Sequence, residues 1–202
     1  MHLPWVLSVL LLASGGIEAP QSDDSGSVTI LIVYDSRTGS TESLARAVVE
    51  GVDSVPGAKA VLRHHSDAEA TEITAADGIL VGSPVHWGNL SANTKEFLDR
   101  VGGALASAGE IGGESTPTNR TAGAFVTGGS VASGKELARL AILAAFLNLK
   151  FVVIGAEDAA GFGTLGAQAT TGPSDPGLSE AELEEARRFG VRFATLTKRL
   201  KR

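Results

Sequence analysis

From residue 28 the chain alternates between short, almost continuously apolar runs and longer stretches in which apolar residues recur every three or four positions. The runs at 28–34, 59–63, 78–82, 123–127 and 151–155 predict strands, and several lack the polar alternation of a half-exposed sheet, so they predict cover on both faces. Leu44, Val48, Val49 and Val52 follow the first run at helical spacing, and Leu90, Thr94, Phe97, Leu98 and Val101 follow the third. A long helix is predicted over 134–148. A last one starts at Ser179, which stands three residues before Glu182 as a capping box requires, and turns Leu183, Ala186, Phe189, Phe193 and Leu196 to the core. The segments 102–118 and 156–178 are Gly-rich or polar and read as loops.

Strand and helix in alternation, without an internal repeat, predict βαβ units and a parallel sheet. Five such units fit an α/β, doubly wound three-layer sandwich of the flavodoxin-like kind, with a five-stranded parallel sheet of order 2-1-3-4-5. In sheets of this type ligands bind beyond the carboxyl ends of the strands, where the order reverses between strands one and three.

Length and composition narrow this picture. A chain of 202 residues suits one domain with a sizeable core. A net charge of −6 argues against a nucleic acid as partner, and the lack of cysteine excludes disulfides, thiolate nucleophiles and cysteine-held metals. Residues 3–13 form an apolar run too short to cross a bilayer as a helix, followed by the small residues Ala13, Ser14, Gly15 and Gly16. The reading is a signal peptide or N-terminal anchor over 1–19, a linker over 20–27 and the domain over 28–202. If used, the segment implies export or membrane association; otherwise the protein stays in the cytoplasm. No Lys or Arg precedes the apolar run.

Three loops leave the carboxyl ends of strands one, three and four, at 35–41, 83–91 and 128–134. In the first, Ser36, Thr38, Ser40 and Thr41 place hydroxyls around Arg37 and Gly39, just before a helix whose first N–H groups are unpaired. No Lys follows Gly39 as a P-loop needs, and no G-x-G-x-x-G is present, so a phosphate monoester is the better ligand. Ser and Thr also serve as turn formers and caps. In the second loop Trp87 stands between Pro84 and Gly88-Asn89, where a large aromatic has no core to enter but can lie against a planar ligand.

The stretches SRTGSTE at 36–42, GSPVHWGN at 82–89, FLD at 97–99, TGG at 127–129 and GPSDPGLSEAELEEARRFG at 172–190 resemble the FMN-binding proteins of the flavodoxin superfamily, in particular the WrbA-type NAD(P)H:quinone oxidoreductases. The resemblance spans nearly the whole chain from Val28. It implies FMN phosphate on Ser36, Arg37, Thr38, Gly39, Ser40 and Thr41. It implies the flavin ring against Pro84, Val85, His86, Trp87, Gly88 and Asn89, with Thr127, Gly128 and Gly129 approaching from the third loop. The implied activity is two-electron reduction of a quinone with NAD(P)H as donor, and a homo-oligomer is compatible with it. Alternatives on the same scaffold are a one-electron carrier serving a redox partner protein, or a non-catalytic flavin- or partner-binding domain. Two departures bear on the substrates: Val85-His86 replaces the family's common Thr-Arg, and GGSVASG at 128–134 lacks a histidine often found there.

His86 is the candidate acid or hydrogen-bond donor beside the flavin, with a solvated loop histidine as the alternative. His64 and His65 are adjacent, so the strand pattern sends them to opposite faces, and no third ligand is spaced to complete a metal site. Asp35 could suggest a phospho-accepting receiver, but Gly82-Ser83 stands where its acceptor would be. Arg63 reads as a solvated charge.

Overall fold

The computed structural model describes residues 26–112, 119–172 and 177–201, so the expected signal or anchor and most of the linker lie outside the described residues. In chain order the elements are β1 (Val28–Tyr34), α1 (Ser40–Asp53), β2 (Ala58–His64), α2 (Ala70–Ala75), β3 (Gly78–His86), β4 (Asn89–Leu90), α3 (Ala92–Ser107), β5 (Thr121–Gly128), α4 (Lys135–Asn148), β6 (Val152–Val153), β7 (Ala156–Glu157), β8 (Gly163–Thr164), β9 (Gln168–Thr170) and α5 (Glu180–Leu200).

Strand alternation sorts the core into two layers. On one face Val28, Ile30, Ile32, Leu80 and Phe125 pack against Leu44 and Val48 of α1 and Phe189 and Phe193 of α5. On the other, Leu31, Val33, Ile79, Val81, Ala124 and Val126 meet Ile73 of α2, Phe97 and Val101 of α3 and Ile142 and Phe146 of α4. Burying a side chain such as Phe125 or Ile142 contributes about 1.5–3 kcal/mol each, which explains why continuous apolar strands hold this sandwich together. Ser179 accepts from the Glu182 amide and Glu182 reciprocates, so the expected capping box starts α5.

The main path of the sheet runs β2-β1-β3-β5-β6, and β4 on β3 and β9 on β5 bring it to seven strands in place of the five expected. The fifth position is divided. β6 pairs in parallel with Thr121 and Ala122 at the start of β5, and β9 pairs with Val126, Thr127 and Gly128 at its end. Between them the chain leaves the sheet for the antiparallel pair β7 and β8, whose turn is closed by Asp158, its carboxylate accepting from the amides of Ala160 and Phe162. Arg139 of α4, almost fully buried, brings the excursion back by donating to the Gly166 carbonyl and, at 3.0 Å, to Gln168 Oε1. The single strand and long loop expected over 151–178 are thereby corrected.

Three further differences have local causes. β3 runs on to His86 because His86 and Asn89 pair across a two-residue turn, so the expected second loop is a hairpin. Leu90 belongs to β4, and α3 starts after Ser91, whose hydroxyl accepts from the Thr94 amide at 3.1 Å; the helix continues into the expected loop as far as Ser107. The short α2 had no counterpart in the periodicity, and Arg63, expected in solvent, pairs with its Glu72 at 2.6 Å.

Candidate functional site

At the carboxyl edge of β1, β3 and β5 a cleft of about 330 Å³ is lined by Ser36, Arg37, Thr38, Ser40, Thr41, Pro84, Val85, His86, Thr127, Gly128, Gly129 and Thr171. That volume lies within the range of roughly 300–1,000 Å³ common for small-molecule sites. All three predicted segments meet here, at the reversal of strand order.

The first wall is a turn that runs into α1. Ser36 Oγ accepts from the Gly39 amide at 3.1 Å, and Gly39, at φ 94°, takes the left-handed conformation that lets the chain enter the helix. Ser36 is thus a turn former whose own proton can still be donated. No side chain caps α1, in contrast to α3 and α5, which Ser91 and Ser179 cap. The helix therefore presents a positive dipole end, with Ser40 and Thr41, to the cleft. Thr38 Oγ1 and Ser40 Oγ lie 3.3 Å apart. Thr41 Oγ1 and Thr127 Oγ1 share a buried hydrogen bond at 2.8 Å, tying the first loop to the third. One bridging proton leaves the other to donate to a ligand.

The second wall is the end of β3. Trp87 at φ 52° and Gly88 at φ 84° form the tight turn of the hairpin, and the indole is fully exposed at 104%. A non-glycine residue in this conformation is held by its surroundings at a cost of about 1–2 kcal/mol. The seat of the turn is Gly134, the left-handed residue that starts α4: a Cβ there would lie 2.4 Å from the Gly88 carbonyl oxygen. Behind the hairpin Ser83, Ser91 and Thr94 form a buried hydroxyl cluster, in which Ser83 Oγ accepts from the Ser91 amide at 3.0 Å.

The third wall is β5 and its neighbour. Thr171 donates its amide to the Gly128 carbonyl at 3.0 Å, and Gly129 opens onto free space. Lys135, buried beneath this loop, donates to Thr170 Oγ1; burial pushes its ammonium below the ordinary range, against the pull of Glu136 and Glu182. Burial would raise the Glu182 carboxyl, but hydrogen bonds from Ser179 and the Thr170 amide hold it below the usual value.

Of the predicted residues, Gly39, Trp87, Gly88 and Asn89 do not form the wall of the cleft. Gly39 shapes the turn, Gly88 rests on Gly134, and Asn89 accepts its own neighbour's amide, Leu90, at 2.8 Å. Thr171 and Lys135 were not among the expected residues. A three-residue strand carries no period, so Thr171 has no sequence signal, and Lys135 looks like an ordinary first-turn helix residue.

His64 and His65 differ from expectation. β2 ends at His64 and the chain turns, so the two rings lie together at 4.3 Å, and Asp35 stands beside them, with His65 Nε2 3.9 Å from Asp35 Oδ1. Burial and the neighbouring His64 lower the His65 pKa, with Asp35 pulling the other way.

The residues present fit FMN. Hydroxyls and a helix start with no side-chain cap suit a monoester phosphate, Arg37 supplies a cation, and the space over Gly129 admits a flat ring. The doubly wound sheet with a cleft at its switch point is of the flavodoxin superfamily. The family model described as NADPH-dependent FMN reductase matches residues 58–164. A flavodoxin of Aquifex aeolicus is 36% identical over 165 residues, covering 82% of this chain and 84% of that protein. An NAD(P)H dehydrogenase (quinone) of Geobacter sulfurreducens is 30% identical over 152 residues, covering 63% and 71%. A WrbA-like flavodoxin protein from Agrobacterium tumefaciens shares the fold at a TM-score of 0.66, with 24% identity over 86% of this chain and 99% of that one. The chain belongs to the NADPH-dependent FMN reductase family.

Proposed function

We propose that the protein is an FMN-dependent oxidoreductase that passes two electrons from NAD(P)H to a quinone. The observation that carries this reading is the bare third wall: Gly128 and Gly129 place no side chain over the cleft, and open space lies above Gly129. A second substrate then has room to approach the ring to about 3–3.5 Å, the separation hydride transfer needs. Bound FMN would supply the redox chemistry: the nicotinamide's hydride and one proton from solvent together account for the two electrons and two protons that turn a quinone into a quinol.

This chain's residues position and exclude. Ser36, Thr38, Ser40, Thr41 and Arg37 hold the phosphate, with the α1 dipole behind them. Backbone N–H groups at 85–86 and 127–129 would supply fixed dipoles for the negative charge that develops on the reduced ring. Among the described residues that line the cleft, His86 is the side chain suited to exchange a proton with a quinone oxygen. Trp87, next to the cleft-lining His86 and without a core contact of its own, is the aromatic available to stack on the outer edge of the ring.

Steady-state turnover of NADH or NADPH with benzoquinone on FMN-loaded protein tests this. Oxidation of either donor that depends on quinone is expected. Its absence with both would overturn the reading. The identity to the Aquifex aeolicus flavodoxin favours a one-electron carrier as the second reading. Two well-separated one-electron steps in a redox titration, with no donor oxidation, would select it.

A further inference from the structure

We propose that Asp35, His64 and His65 form a binding site for a divalent transition metal of the zinc type, next to the phosphate loop and independent of the flavin reading. One ligand atom from each of the three side chains lies within 4.8 Å of the others. The donor set is two imidazoles and one carboxylate, which suits zinc and its first-row neighbours and not calcium or magnesium, whose shells are built from oxygen.

The register of the sheet makes the site. Tyr34 stands opposite His64 in the parallel pair β1–β2, so the residue after each strand, Asp35 and His65, emerges at the same edge. The His65 amide donates to the Tyr34 carbonyl at 2.8 Å, and the chain then turns, with the Asp67 amide donating to the His64 carbonyl at 3.0 Å. That turn brings the rings to one side.

Two of the three ligands are braced by a second group, as metal ligands commonly are. The buried Asp35 carboxylate accepts from Ser91 Oγ at 2.6 Å and from Asn93 Nδ2 at 3.3 Å. Ser66 Oγ donates its only proton to Asp67 Oδ1 at 2.7 Å, so at 2.8 Å it accepts from His64 Nδ1, leaving the lone pair on Nε2. The longer contact at that nitrogen, from the Ser66 amide at 3.5 Å, does not outweigh it. The turn itself is held from α3 by Arg100, which donates to the carbonyls of His65 and Ala68. Bonds of about 2.0–2.1 Å in a tetrahedron put donors roughly 3.3 Å apart, so binding draws the three together by up to about 1.5 Å. The partly exposed imidazoles can supply that movement by rotation. Three protein ligands leave a fourth position for water.

Calorimetric titration of Zn²⁺ into the untagged, FMN-free full chain tests the site, together with His64→Gln, His65→Gln and the double variant. One equivalent should bind to the wild type, each single variant should weaken it by at least about tenfold, and the double variant should lose it. Circular dichroism on the variants separates lost ligation from lost folding. The chain has four histidines, so imidazole NMR signals give a second readout: those of His64 and His65 should shift with Zn²⁺ and that of His86 should not. No stoichiometric binding, undiminished binding by the folded double variant, or a shift confined to His86 would each overturn the proposal.

Discussion

On the α1 side of the cleft the chain is held by buried side chains: Thr41 and Thr127 bond to each other at 2.8 Å, and both are almost fully buried. On the hairpin side, the tip at Trp87 and Gly88 is held mainly by backbone, through the His86–Asn89 pairing and the seat on Gly134, while the indole stands in solvent. The first side resembles a core that happens to end in hydroxyls, suited to fixing one anionic group. The second is a rigid arm that presents an uncommitted aromatic. Substitutions should therefore act through side-chain chemistry on one side and through backbone geometry on the other.

The largest effect is expected from Gly134→Ala. Its Cβ would meet the Gly88 backbone at 2.4 Å, and neither backbone can yield as a flexible side chain would; the residue also sits at φ 93°. Left-handed strain of about 1–2 kcal/mol and overpacking of about 1–3 kcal/mol sum to roughly 2–5 kcal/mol lost in urea unfolding. Hairpin displacement should weaken FMN binding as well. A loss below about 1 kcal/mol would show that the turn is not seated there.

Thr41→Val comes next. It leaves the buried Thr127 hydroxyl without its partner, a cost of about 1–3 kcal/mol, whereas Thr41→Val with Thr127→Val removes both polar groups and should recover most of it. FMN affinity should fall in both, because the hydroxyl is also a ligand donor in this reading. Recovery of stability without recovery of affinity, in unfolding curves and flavin fluorescence titrations, separates the two roles. Equal affinity in all three proteins would remove Thr41 from the site.

The same contrast explains what could be read from the sequence. β1, β5 and the α5 capping box are local patterns, apolar runs and a Ser179–Glu182 spacing, and they are where the pattern puts them. The hydroxyl loop was legible for the same reason, since residues 36–41 act within six positions of one another. β6 lies inside the run expected at 151–155, but β9 was not legible: three residues carry no period, and their place on β5 depends on Arg139 and Lys135 reaching across from α4. Trp87 as an aromatic without a core was legible, but its left-handed turn was not, because such turns are usually announced by Asn-Gly or Asp-Gly. The meeting of Asp35 with His64 and His65 needed the β1–β2 register, which no spacing in one strand encodes.

Trp87→Gly should have the smallest effect on the fold and a selective one on the ligand. Glycine takes φ 52° without strain, which offsets the backbone entropy it adds to the unfolded chain, about 0.5–1 kcal/mol. The indole contributes no buried contact to lose. Stability without FMN should accordingly stay within about 1 kcal/mol of the parent. With FMN, loss of an aromatic stack of about 0.5–1.5 kcal/mol corresponds to binding weakened about 2- to 12-fold. Urea unfolding without ligand and a flavin fluorescence titration on the same two proteins measure both. If ligand-free stability fell by more than about 2 kcal/mol while affinity held, the indole would be packing on protein and not on flavin, and the contrast between the two sides of the cleft would fail at its exposed end.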